Sequence, residues 1–290
     1  MASDTITRFL FERLGVRGEI VRLEHSYQTA LERHPYPAQL GQLLGQAMAA
    51  ACLLGATVKD SSKLILQIQG KGPATLLVAE YDSRRRIRGL VQWQQGLLLE
   101  ANINRLFGEG YIAITIDQLD KANRYQGIVE LVQPTLASCL EHYFSQSEQL
   151  PTRLWLVADT DRVAGLMLQQ LPSTTLDYDD WQRLGLLADT LTVDELLGLE
   201  TNTLLRRLFH EDDVRVFDSD DIRFHCSCSR ERIENMLRSL GQEEVRDIVA
   251  EQGGITVDCE YCRKTYQFDR VDAEQLFTDG GIRFHSATRH

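Results

Sequence analysis

Ile112, Ile114 and Ile116 occupy every second position of YIAITID (111–117), and a period of two places all three on one face of a β-strand. Four more short runs are of β-type composition: LILQIQG (64–70), ATLLVAEY (74–81), IRGLVQW (87–93) and YQGIVELV (125–132), set apart by Gly, Pro, Asp and Ser. Together they predict antiparallel strands of a core sheet. Gly70-Lys71-Gly72-Pro73 separates the first two runs. It reads as a hairpin turn, because it lacks the further glycines of a dinucleotide loop and the Gly-Lys-Ser/Thr of a phosphate loop. Upstream, Gln39 to Ala56 is dense in Ala, Leu, Met and Gln, which predicts a helix too apolar for a surface and therefore largely buried. Downstream, Thr135 to Gln149 predicts a helix and RLWLVAD (153–159) a strand, whereas LMLQQLP (166–172) fits either.

The pattern changes after Pro172. From Trp181 to Phe209, Leu184, Leu187, Leu191, Leu196, Leu197, Leu204, Leu205 and Leu208 recur at roughly helical spacing among acidic residues, which predicts amphipathic helices without a core of their own. Thr192 and Glu195 have the spacing of a capping box, so one helix is expected to start there. Residues 176–222 hold thirteen Asp and Glu against four Arg. The expected organisation is α+β: an N-terminal mixed sheet-and-helix core domain with a buried helix (1–175), an acidic amphipathic helical linker (176–222) and a small C-terminal α+β domain (223–290).

Composition narrows the class. Apolar residues make up 43% of the 290 and charged residues 25%, ordinary for a globular protein. A net charge of −11 repels phosphate backbones, and no basic patch offsets it, so no nucleic-acid partner is expected. The stretch Leu43 to Thr57 is interrupted by Gln46 and Gly55 and is too short for a bilayer, which needs about 20 residues. Asp4, Arg8, Glu12 and Arg13 break up the N-terminus, which does not resemble a secretory signal, and a cytoplasmic location is expected.

Six cysteines divide by context. Cys52 and Cys139 stand alone in apolar helical segments and read as small buried hydrophobes. The other four form Cys226-Ser-Cys228, thirty residues, then Cys259-Glu-Tyr-Cys262, and two short-spaced pairs supply the four soft ligands that one tetrahedral Zn2+ per chain requires. His225 adjoins the first pair, but the set is complete without it. The segment from Ile222 onward is small enough that its core supplies only about 3–5 kcal/mol, whereas zinc in such sites is worth about 10–16 kcal/mol. The metal therefore decides whether that domain folds. Arg223, Arg230, Arg263 and Lys264 flank the clusters and favour thiolate over thiol, and oxidation to disulfides would expel the metal. A purely structural zinc staple, a zinc ribbon that contacts nucleic acid or a ribosome, and a thiol oxidoreductase using Cys259 and Cys262 remain alternatives, although CEYC does not follow a βαβ pattern. Neither Ser138/His142 nor Glu24/His25 forms a recognisable nucleophile motif, and no enzyme activity is expected.

Phe224-His-Cys-Ser-Cys-Ser-Arg-Glu-Arg232, with Cys259-Glu-Tyr-Cys262 and Tyr266-Gln-Phe268 downstream, resembles the zinc domain of the 33 kDa redox-regulated chaperones, the heat shock protein 33 family. Gly70-Lys-Gly-Pro73, Leu168-Gln-Gln-Leu-Pro172 and Leu205 to Phe217 extend the resemblance over nearly the whole chain, and the mass of 33.0 kDa agrees. The resemblance implies an ATP-independent holdase, inactive when reduced and zinc-bound. It further implies that oxidation forms disulfides Cys226–Cys228 and Cys259–Cys262, releases zinc and unfolds a metastable linker (176–222), and that the active form is a homodimer binding unfolding client proteins.

Overall fold

A helix this apolar needs covering on opposite sides, and in the computed structural model Ala38–Ala56 lies between two sheets. The structure describes residues 4–58, 62–96, 102–118, 124–172 and 177–278, and the chain divides into two units, Met1–His225 and Cys226–His290. The first unit begins with β1 (Thr5–Phe11), β2 (Val16–Leu23), α1 (His25–Glu32), α2 (Ala38–Ala56), β3 (Ser62–Gly70), β4 (Ala74–Asp82), β5 (Arg86–Trp93), α3 (Ile103–Phe107), β6 (Gly110–Gln118) and β7 (Arg124–Glu130). It continues with α4 (Leu136–Tyr143), a π-helical turn Phe144–Glu148, β8 (Thr152–Ala158), β9 (Val163–Gln170), α5 (Tyr178–Ala188), α6 (Val193–Gly198), α7 (Thr201–Phe209), β10 (Val214–Val216), β11 (Asp220–Asp221) and β12 (Arg223–Phe224).

One sheet has the order β12-β5-β4-β3-β6-β7 and the other β10-β1-β2-β9-β8, with β11 also on β1. The five expected strands are β3 to β7, and their register sets Ile112 opposite Ile68 and Ile114 opposite Leu66, all four side chains buried. α2 packs on β3, β4 and β5 of one sheet and on β2, β8 and β9 of the other, which is why Leu40 to Leu54 are buried apart from Gln42 and Gln46. Gly45 lets it approach closely, since a Cβ there would lie 2.5 Å from Val163 Cγ2. The expected hairpin turn at 70–73 is found between β3 and β4, and glycine is required because the backbone of α3 lies across it: the Gly72 N–H donates to the Phe107 carbonyl at 2.7 Å, and a Cβ on Gly70 would sit 2.2 Å from the same oxygen.

The N-terminal segment, for which the pattern predicts no element, forms β1, β2 and α1. Residues 166–170 of the ambiguous run at 166–172 belong to β9, and the ambiguity has a physical cause. Val163 and Met167 face the α2 core, while Ala164, Leu166 and Leu168 face a second core on the opposite side, so the strand is apolar on both faces.

That second core locates the acidic segment. The boundary expected after residue 175 lies outside the described residues, and residues 177–222 fall within the first unit. Leu184, Leu196, Leu204, Leu205, Leu208 and Phe209 of α5 to α7 bury themselves against Phe9, Phe11 and Ile20 of β1 and β2 and against β9. The helices lack a core of their own, as expected, because they borrow the outer face of a sheet. Thr192 and Glu195 form the expected capping box, Glu195 N–H donating to Thr192 Oγ1 at 3.3 Å and Thr192 N–H to Glu195 Oε2 at 2.9 Å. Some of the acids are anchors: Arg183 donates to both oxygens of Asp212 at 2.9 and 2.7 Å, and Arg153 to Asp189 at 2.9 Å. Cys52 and Cys139 are buried in the core around α2. Among the described residues, no helix is long and apolar enough to cross a membrane.

Candidate metal centre

The second unit is built from α8 (Arg230–Leu240), α9 (Gln242–Gln252), β13 (Ile255–Asp258), β14 (Thr265–Phe268) and α10 (Arg270–Thr278); the end of the expected domain, 279–290, lies outside the described residues. Its core consists of Leu237, Val245, Val249, Ile255, Tyr266, Phe268, Ala273 and Leu276, with Cys228 and Cys259 packed against it. Cys226 and Cys228 lie on the extended segment leading into α8, whose first turn is fixed by Ser229 Oγ accepting from the Arg232 N–H at 3.2 Å. Cys259 and Cys262 lie on the turn between the antiparallel β13 and β14, whose last register pair is Asp258 with Thr265. The turn closes through Arg263 N–H donating to the Cys259 carbonyl at 2.8 Å and Cys259 N–H to the Lys264 carbonyl at 3.0 Å. Arg263 takes the left-handed conformation, φ 57°, that such a knuckle requires.

These two segments bring all four sulfurs within 4.8 Å of one another. Cys226 Sγ lies 3.6 Å from Cys259 Sγ, and Cys228 Sγ 3.4 Å from Cys262 Sγ. None of the six cysteines is in a disulfide. Four thiolates at bonds of about 2.3 Å around a tetrahedral ion stand about 3.8 Å apart, so the donor set and its dimensions fit a single metal ion. His225 is not part of this group. It ends the first unit, its N–H donates to the Ile87 carbonyl at 3.0 Å, and burial followed by the nearby Arg86 holds its imidazole below the usual histidine range.

The electrostatics differ from the expectation that flanking cations favour thiolate. Arg230 pairs with Asp272 at 2.9 Å, donates to the Gln267 carbonyl and lies over the Phe268 ring, Lys264 lies over Tyr266, and Arg223 belongs to the first unit on β12. The group that supports a thiolate is the Tyr266 hydroxyl, which donates to Cys228 Sγ at 3.2 Å. Burial opposes ionisation of Cys228, but the hydrogen bonds from Tyr266 and from the other three thiols outweigh it and bring its pKa down to about 7. The charge is then held there. Cys262 is pushed up to about 12, first by burial, and the Tyr266 phenol to about 12, first by its bond to Cys228. Sequence spacing singles out the sulfurs but not this donor, which lies 38 residues from its acceptor. Tyr266→Phe is expected to weaken metal binding by the reduced protein about tenfold, because a hydrogen bond to a sulfur that would hold the metal supports it from outside the donor set; competition with a chromophoric chelator measures it, and an unchanged affinity refutes the assignment.

Residues 4–269 match the sequence model of the family described as Hsp33 protein, a span that includes all four sulfurs. A protein named 33 kDa chaperonin from Nitrosococcus oceani is 48% identical over 287 residues, covering 99% of this chain and 99% of its own. Another of that name from Pseudomonas paraeruginosa is 48% identical over 295 residues, again covering 99% of each. Among solved structures, the 33 kDa chaperonin (heat shock protein 33 homolog) of Thermotoga maritima matches with a TM-score of 0.82 at 27% identity, covering 95% of this chain and 98% of that one.

Proposed function

This chain belongs to the Hsp33 family, and from that premise we propose that it is a redox-regulated, ATP-independent holdase whose switch is the four-cysteine centre. The observation that carries this reading is the convergence of Cys226, Cys228, Cys259 and Cys262 within 4.8 Å in a unit whose apolar core is small. When bound, one Zn2+ per chain supplies a tetrahedral crosslink between the 226–228 segment and the β13–β14 turn. Reduced, the sulfurs hold that crosslink and the chaperone is idle. Peroxide, taking two electrons from each cysteine pair and leaving as water, converts the thiolates to disulfides Cys226–Cys228 and Cys259–Cys262, and the sulfurs no longer bind metal.

The second unit then loses its staple, and the 176–222 segment loosens. Release of α5 to α7 from the sheet uncovers two apolar surfaces: the leucine face of the helices, and Phe9, Phe11, Ile20, Leu166 and Leu168 beneath them. Together they form a binding surface for unfolding client proteins, presented by a homodimer in the cytoplasm. Oxidised protein is expected to suppress light scattering by a thermally unfolding client at near-stoichiometric ratio while reduced protein does not, with zinc release recorded on the same sample. Equal protection by both forms removes the switch from this account.

A further inference from the structure

Away from the sulfurs, the first unit contains a cavity of about 290 Å3 between the β1–β2 pair, the C-terminal end of α2, the start of β3, Tyr81 of β4 and residues 217–220. Its deepest polar groups are unmatched. Glu19 on β2 is 3% exposed, and its carboxyl makes neither a hydrogen bond nor an ion pair among the described residues. Ser62 is 6% exposed, and its hydroxyl likewise has no hydrogen-bond partner. Buried polar side chains are normally paired, and a cavity lined by unpaired ones indicates what would enter it.

The lining selects a cation at depth. Glu19 offers a carboxylate, and Ser62 and Tyr81 offer hydroxyl lone pairs. Gly55 and Ala56 belong to the last turn of α2, the negative end of the helix dipole. An ammonium group, with three donors and no acceptor, matches one carboxylate and two hydroxyls. Of the two arginines on the lining, Arg85 is engaged by Asp220 at 2.8 Å. Arg8 is exposed, lies over the Phe217 ring at 4.4 Å, and has no carboxylate partner among the described residues. Arg8 and Glu19 are direct cross-strand partners and so project from the same face about 5 Å apart at Cβ, yet they form no ion pair. Acid and guanidinium thus stand side by side, each open to a third body.

We infer that this cavity is a binding site for a small zwitterionic amine, an amino acid, with its ammonium among Glu19, Ser62 and Tyr81 and its carboxylate on Arg8. The inference does not depend on the redox chemistry. Affinity follows the ionisation of Glu19, whose carboxyl is pushed up to about 7 by burial, with Arg8 and then Arg17 opposing and Asp220 reinforcing. The other charged or titratable groups facing it are Tyr81 and Arg85 from β4 and the turn after it, and Asp218. Cys52 on α2 remains a neutral thiol because it is fully buried. Since only the carboxylate pairs with ammonium, binding strengthens as the pH rises from about 6 to about 8.

The test is calorimetric titration of the full-length reduced protein with glycine, β-alanine and 4-aminobutyrate, and with methylammonium and acetate as half-ligands. One amino acid is expected to saturate a single site per chain at least tenfold more tightly than either half-ligand. Glu19→Gln should weaken that binding at least tenfold and abolish its pH dependence, and Arg8→Gln should remove the preference for the amino acid over methylammonium. Circular dichroism confirms that each variant folds, and Ser62→Ala, a smaller change, replaces Glu19→Gln should the latter not fold. No saturable binding by any probe, tighter binding of acetate than of the amines, or amino-acid binding indifferent to these substitutions overturns the proposal.

Discussion

Stripping the metal from the reduced protein, or replacing Cys262 by Ser, is expected to unfold residues 226–278 and to leave both sheets of the first unit folded. The reason lies in the size of the core. The described second unit buries eight apolar side chains, and a core on that scale contributes about 3–5 kcal/mol, against about 10–16 kcal/mol from a four-thiolate zinc crosslink. Losing one ligand leaves an incomplete set on an exposed turn, and the remaining packing does not hold α8, α9 and the β13–β14 hairpin together. Metal analysis, expected to give one zinc per reduced chain, combined with amide protection along the chain, reads the effect: protection in 226–278 should fall to that of an unfolded segment while β3 to β6 retain theirs. A metal-free second unit that keeps its protection shows that the sulfurs do not staple it.

Phe209→Ala should make the acidic segment protease-sensitive in the reduced, metal-loaded protein and give it client-protecting activity without oxidant. Phe209 is 2% exposed and meets Phe11 edge-to-face, ring centroids 5.0 Å apart at 88°. Truncating a phenylalanine so buried costs about 3–5 kcal/mol, and the cost falls on the contact between α7 and β1, because that is what the ring fills. Limited proteolysis should cut first within 177–222, with the second unit still protected and zinc still bound. Leu186→Ala is the control: Leu186 is 66% exposed on α5, and its loss should change neither cleavage nor activity. If Phe209→Ala is cleaved no faster than the parent, or is cleaved yet does not protect clients, detachment of these helices is not the activating event.

Much of the first unit was legible in the sequence because its signals are local. β3 to β7 are short runs rich in β-forming residues and set apart by turn residues, and α2 is too apolar to be anything but buried. The N-terminal strands carry weaker alternation: Arg8 and Glu19 interrupt β1 and β2, and both strands are explained only by their partners. Phe9 pairs with Val216, more than two hundred residues away. β9 resisted assignment because it is covered on both faces.

At the candidate metal centre, spacing pointed to the four sulfurs that the fold brings together, while apolar context set Cys52 and Cys139 apart and a complete cysteine set left His225 unneeded. Each pair is a property of a few adjacent residues, two cysteines on one turn and two on one extended segment. The folded chain decided the remainder: that α5 to α7 close a sheet instead of standing apart, that Tyr266 rather than a flanking cation supports the Cys228 thiolate, and that Arg8 and Glu19 share one cavity. Each of these depends on residues far apart in the chain meeting through strand register and helix packing, and no short window of sequence contains both partners.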